Sequence, residues 1–231
     1  MAKKIAVIGL GDFGENLVKS LMAKGAEVLA IDDDVERIEE IKDHVSAAVK
    51  LDSTDLKALK AQDLQNMDAV IVSIGQQFEN SILTIMNLLT LKPKKIIARA
   101  TSSIHREILK KLGIEEDYII SPEERMAEII ATTLMHEGVL RWEDVGNEKD
   151  YKIAYLKAPN EFVGKTLMEI DMRTRFNVNL ITILKKVKHK SQRTEEYSRR
   201  SIGVPTPGTV IEEDDELVVF GREKDIAKLT E

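Results

Sequence analysis

The chain has 231 residues, 43% hydrophobic and 32% charged, enough to bury one large core or two smaller ones. With 34 basic and 40 acidic residues the formal charge is −6, which argues against nucleic acid or an anionic membrane as a partner of the whole molecule. There is no cysteine, which excludes disulfides, thiolate metal centres and a cysteine nucleophile and suits a reducing interior. No apolar run approaches the roughly 20 residues that span a bilayer, so a membrane role requires another subunit.

In chain order, short β-branched runs alternate with helical patterns. The runs are residues 5–8, 28–31, 47–49, 69–72, 96–98 and 118–120. They are continuous rather than alternating, the mark of strands covered on both faces of a parallel sheet. Leu17, Val18, Leu21 and Met22 make one helical stripe, and Ile82, Leu83, Ile85, Met86, Leu88 and Leu89 make another, broader one. Six strand–helix units predict an α/β fold with a Rossmann-like doubly wound parallel sheet. After the sixth strand, Ser121-Pro122-Glu123-Glu124 predicts a helix start with a capping box between Ser121 and Glu124, and a helix running from 122 to about 139. The first domain is thus expected over 1–141, a linker around Gly146-Asn147 over 142–150, and a small α+β C-terminal domain over 151–231. In that domain the pattern predicts strands at 151–156, 178–187 and 217–220. Apolar residues at 209–211 precede a turn at Asp214-Asp215, and short helices are expected near 166–170 and from Glu223.

Gly9-Leu10-Gly11-Asp12-Phe13-Gly14 is a G-x-G-x-x-G placed directly after the first strand and opening the first helix. Gly9 permits the tight turn, Gly11 lets the backbone approach a pyrophosphate, and Gly14 lets helix and strand pack closely. The helix amides then face an anion. A tight turn in a sheet that has lost its ligand would carry the same glycines. Asp32 follows Gly9 by 23 positions, where a carboxylate accepts hydrogen bonds from an adenosine ribose. Asp33 stands beside it, and Asp34 is assigned to cap the next helix. Asp52-Ser53 and Ser73-Ile74-Gly75 end up at the same carboxyl edge. Asp52 is placed to approach an adenine amino group, while Ser53 or Thr54 suits a cap of the next helix, and these side-chain roles stay open. Arg99 is the strong cation on that edge, suited to a phosphate or to a neighbouring acid. Glu123 at a helix start favours the helix dipole, and with oxygens from elsewhere would suit a divalent ion.

His44, His105, His136 and His189 are scattered, with His105 and His136 expected at the surface. There is no H-E-x-x-H, G-x-S-x-G or Walker lysine loop, so the sequence reads a nucleotide rather than transforming one. Residues 185–200 hold seven basic and two acidic side chains, expected as a solvated hairpin loop, with an anionic ligand, anionic lipid or acidic loop as sharper alternatives.

Together these residues resemble the cytosolic regulatory subunits of Ktr/Trk-type potassium uptake systems, built from a TrkA-N (RCK) and a TrkA-C domain. The resemblance runs through the glycine motif, Asp32, Asp52, Ser73-Ile74-Gly75 and Ser121-Pro122-Glu123. It continues through Val163-Gly164-Lys165-Thr166-Leu167, Pro205-Thr206-Pro207 and the segment from Asp214 to Gly221. It implies an N-terminal domain binding an adenine nucleotide (ATP, ADP or AMP) or NAD(H), and a C-terminal domain for dimerisation. It further implies self-association into dimers and an octameric ring that docks on a membrane potassium-translocating subunit at the inner face of the cell membrane. In some relatives a glutamate matching Glu123 helps bind a divalent cation, Mg2+ or Ca2+, at a subunit junction, and some bind a cyclic dinucleotide in the C-terminal domain. The chain departs from many relatives in carrying Asp12 where they have an arginine associated with a γ-phosphate. A carboxylate there repels added negative charge, so AMP, ADP or NAD(H) is expected to be favoured over ATP. The expected function is therefore that of a cytoplasmic gating-ring subunit controlling potassium transport without enzymatic turnover. The alternative is an NAD-dependent oxidoreductase, against which the lack of an evident proton donor counts. A DNA-binding regulator would need a recognition helix that the sequence does not show.

Overall fold

A computed structural model describes residues 2–146, 150–190 and 195–230. The chain divides into two compact units, Met1–Glu124 and Arg125–Glu231.

In the first unit each apolar run becomes a strand and each stripe a helix. The elements are β1 (Lys4–Ile8), α1 (Asp12–Ala23), β2 (Glu27–Asp32), α2 (Val35–Ile41), β3 (Ala47–Lys50), α3 (Leu56–Lys60), β4 (Ala69–Val72), α4 (Phe78–Leu91), β5 (Ile96–Arg99), α5 (Ser103–Lys111) and β6 (Ile119–Ile120). The strands pair in parallel in the order β3-β2-β1-β4-β5-β6. Continuous apolar runs are explained by two cores, one on each face. Ala6, Ile8, Ile31 and Val72 pack with Ile85, Leu88 and Leu109; Val7, Val28, Ala30 and Ile71 pack with Val18, Ile38 and Ile41. The strand order reverses between β1 and β4, which opens a crevice at the carboxyl edge.

The helix α6 (Pro122–Met135) starts where expected but stops before 139. In place of the predicted capping box, the Ser121 hydroxyl donates to the Ala100 carbonyl at 3.1 Å and accepts from Arg106 Nη2 at 2.8 Å. Glu124 also accepts from Arg106. Arg106 reaches both groups and so displaces the local cap.

The second unit is an antiparallel sheet of β7 (Val139–Asp144), β8 (Tyr151–Lys157), β9 (Asn179–Lys190), β10 (Glu195–Ser201) and β11 (Glu216–Arg222), in the order β10-β9-β11-β8-β7. Helices α7 (Leu167–Ile170), α8 (Met172–Phe176) and α9 (Glu223–Ala227) complete it. Here the structure corrects several expectations. Residues 139–144 were assigned to the end of α6, the first domain and the start of a linker, yet they form an edge strand on β8. Val139 and Trp142, both buried, belong to the second core. Residues 147–149 of the expected linker lie outside the described residues. Of the basic segment, 185–190 and 195–200 pair as β9 and β10 while 191–194 lie outside the described residues, and 209–211 contribute only a bridge from Val210 to Thr166. The capping box that does form is Thr166 with Glu169, at the start of α7.

Candidate functional site

The crevice of the parallel sheet is a cavity of about 940 Å3 at the carboxyl ends of β1, β2, β4 and β5. The predicted residues Gly9, Leu10, Gly11, Asp12, Phe13, Asp32, Asp33, Asp52, Ser53, Ser73, Ile74, Gly75, Arg99 and Glu123 all line it. Gly14 does not. It lies behind the loop, where a Cβ would sit 1.9 Å from the Gly9 carbonyl oxygen, so the turn closes only with glycine at this position. Gly9 has φ +95°, the left-handed region that favours glycine, and its backbone abuts that of Ile74. Above Gly11 the space is open, so a ligand can approach the backbone at the start of α1.

The polar side chains around the loop fall into two groups. Some brace the protein. Asp32, 5% exposed, accepts the Leu10 amide on Oδ2 at 2.6 Å and the Asp34 amide on Oδ1 at 2.9 Å, so it holds the glycine loop to the end of β2. The Ser73 hydroxyl donates to the carbonyls of Ile8 (3.0 Å) and Gly9 (2.5 Å). Ser53 shares a hydrogen bond with Thr84 of α4 at 2.7 Å. Asp34 caps α2 as expected, accepting from the Glu36 amide. The cap of α3 is Asp55, while Asp52 accepts from the Thr54 amide and hydroxyl. Those bonds, the hydroxyl's first, hold the Asp52 carboxyl below its ordinary value.

The others face the open cavity. Asp12, the first residue of α1, is exposed, and its carboxylate has no hydrogen-bond or ion-pair partner among the described residues. Asp33 is pushed above the ordinary carboxylate value, first by partial burial and then by the neighbouring Asp32. The Arg99 side chain is 15% exposed, pairs with Glu123, donates to the Ser73 carbonyl at 3.3 Å and lies over the Phe13 ring at 5.3 Å. Its Nε is buried without a hydrogen-bond partner. The two sequence-level alternatives for Arg99, an acid or a phosphate, are thus compatible: Nη2 holds Glu123 while the guanidinium borders the cavity. Among the described residues no group of three His, Asp or Glu side chains is arranged to hold a metal ion.

Sequence reasoning missed part of the lining, notably Glu15, Asn16, Arg37, Glu40, Gln77, Asn80 and Thr101. Glu15 and Asn16 were within reach, since they follow Asp12 by three and four positions on one helix face. Arg37 approaches Asp32 at 3.4 Å and Asp34 at 3.7 Å. Eight carboxylates and two arginines therefore line the cavity, and both arginines are already paired.

His105 corrects the expectation of a surface residue, for it is fully buried in α5. Burial pushes its imidazole below the ordinary histidine value. His136 is half-buried against Trp142 and 3.6 Å from Glu223. Three cations of the basic run 185–200 are paired with acids of the same unit. Lys185 pairs with Glu212 (2.7 Å) and Asp215, Lys186 with Asp214 and Arg199 with Glu216 (2.9 Å). The side chains of His189 and Lys190 and all of Arg193 lie outside the described residues.

With this geometry in view, the comparisons with known proteins agree at several levels. The TrkA-N domain model matches residues 5–122 and the TrkA-C domain model residues 153–231. The chain is 34% identical over 228 residues to the Ktr system potassium uptake protein C of Bacillus subtilis, covering 99% of this chain and 96% of that one. It is 32% identical to the Ktr system potassium uptake protein A of the same organism, covering 98% and 95%. Among solved structures, the GsuK RCK domain superposes with a TM-score of 0.65 at 17% identity, covering all of this chain and 47% of that one, and thereby shares the fold. The chain thus spans about half the length of that structure. No described helix is long and apolar enough to cross a membrane. Matched along nearly its whole length by both domain models and by relatives above 30% identity, the chain belongs to the Ktr/Trk family of potassium uptake proteins.

Proposed function

We propose that this chain is the regulatory subunit of a potassium uptake system, a nucleotide sensor that controls transport through a separate membrane potassium-translocating subunit. The observation that carries this is the glycine loop. It is braced by Asp32 and Ser73 and left open above Gly11, at the crevice of a sheet whose family is that of potassium uptake proteins. The residues fit an adenine nucleotide or NAD(H). The amides at the start of α1 would hold the phosphates, the end of β2 at Asp32 and Asp33 the ribose, and Arg99 would offset phosphate charge. The GsuK channel, solved with NAD, shares this fold at a TM-score of 0.64 and 17% identity. When bound, the nucleotide supplies differential affinity for one arrangement of the assembly over another, which needs no hydrolysis and no catalytic group.

In this account the protein acts on the cytoplasmic side as a ring of copies, with Glu123 available to a divalent cation only where a second copy adds oxygens. The C-terminal unit provides self-association and a place for a second ligand such as a cyclic dinucleotide. An oxidoreductase is disfavoured, because none of the side chains lining the cavity is a histidine, tyrosine or lysine. The test is potassium flux in vesicles holding the pore subunit, with and without this protein and each nucleotide. Flux that depends on both supports the proposal. Flux indifferent to this protein, or steady oxidation of NADH in its presence, overturns it.

A further inference from the structure

His105 stands on α5, just after the loop that follows β5 at the carboxyl edge of the sheet. It is fully buried, yet it does not line the cavity. Its Nδ1 is 3.4 Å from the Thr101 amide and 3.3 Å from the Thr101 hydroxyl, and its Nε2 is 3.5 Å from the Ser81 hydroxyl of α4. The Phe78 ring meets the imidazole edge-on at 4.9 Å between centroids. An amide can only donate, so Nδ1 must accept, which places the ring hydrogen on Nε2, toward Ser81. One imidazole thus joins the loop after β5 to the first turns of α4. These two segments are the ones that present Thr101, Gln77 and Asn80 to the cavity. The charged residues nearby in sequence are engaged elsewhere: Arg99 with Glu123, Arg106 with Glu116 and Ser121, and Glu107 with Lys110.

We infer that His105 is a positioning residue for the distal half of the cleft. It fixes the wall against which the part of a ligand beyond the glycine loop rests. This rests on the nucleotide-binding proposal above and adds a division of labour to it. In a doubly wound sheet a dinucleotide lies across the crevice, with its adenosine on the β2 side and its second half over β4 and β5. Asp32 and the glycine loop serve the first half, and the wall held by His105 serves the second. A ligand that ends at its first phosphate does not touch that wall.

The test compares binding of NADH and AMP by calorimetry for the whole protein and for His105→Ala, His105→Asn and His105→Gln, with thermal unfolding of each. The expected result for His105→Ala is an NADH affinity about tenfold weaker with AMP changed by no more than about twofold. His105→Asn, which keeps an acceptor near Thr101, recovers most of the loss. Equal weakening of both ligands, or lower thermal stability with NADH affinity intact, overturns the inference while leaving the nucleotide proposal standing. Wild-type protein that binds neither ligand overturns both.

Discussion

In the antiparallel sheet, Lys185, Lys186 and Arg199 each reach an acid of the 212–216 turn or of β11, and Lys152 sits almost buried between Asp144 and Glu223. In the cleft of the parallel sheet, eight carboxylates outnumber two arginines, which pair with three of them, Asp32, Asp34 and Glu123. The same composition serves opposite ends. In the second unit these cations are paired within the sheet, whereas in the first an acid such as Asp12 stands exposed at the open start of α1. A net charge of −6 hides this difference, because it averages the paired sheet with the acid-rimmed cavity.

The largest effect should come from the loop itself. Gly14→Val places a side chain on the Gly9 carbonyl and is expected to cost about 4 kcal/mol or more, unfolding the first unit and abolishing nucleotide binding, as seen by circular dichroism melting. Next, Lys152→Met should cost about 2 kcal/mol in the second unit by leaving Asp144 without its main partner, with nucleotide affinity unchanged. The hydrogen bond from Lys152, and after it that from Arg125, holds the Asp144 carboxyl below its ordinary value. A depressed carboxyl contributes stability above its unfolded value that is lost as pH falls through the folded one. Acid melting of the wild type should therefore show a decline below about pH 4 that is shallower in Asp144→Asn.

Asp12→Arg tests the other half of the comparison. It should raise ATP affinity relative to AMP by about tenfold without a matching change in stability, measured by titration in the absence of magnesium. No relative gain for ATP would show that the exposed acid does not select by charge. The smallest effect is expected for Asp34→Ala, about 1 kcal/mol from the lost α2 cap, read by thermal unfolding.

The first unit was legible in the sequence because its determinants are local. Two-sided burial writes continuous apolar runs, and a βα turn that passes under its own carbonyl demands Gly14. The lining was legible wherever it followed a strand end. Thr101, Gln77 and Asn80 were not, since they come from two segments, the loop after β5 and the start of α4, that only the fold brings to one cavity. The second unit was harder for the same reason. Val139 looks like the tail of a helix and Trp142 like the start of a linker until β8 pairs with them. The basic residues of β9 look like a loop until the acidic turn arrives to pair with Lys185 and Lys186. Sequence shows a charge, and only the fold shows its partner.

The central claim is that the cleft holds an adenine nucleotide without transforming it and discriminates by negative charge. Calorimetric titration of the purified protein with AMP, ADP, ATP and NADH, each with and without magnesium, tests this most directly. The account predicts micromolar binding, ligands recovered unchanged, and ATP weakest when magnesium is absent. Binding of none of the four would contradict it, and would make the glycine turn a purely structural feature.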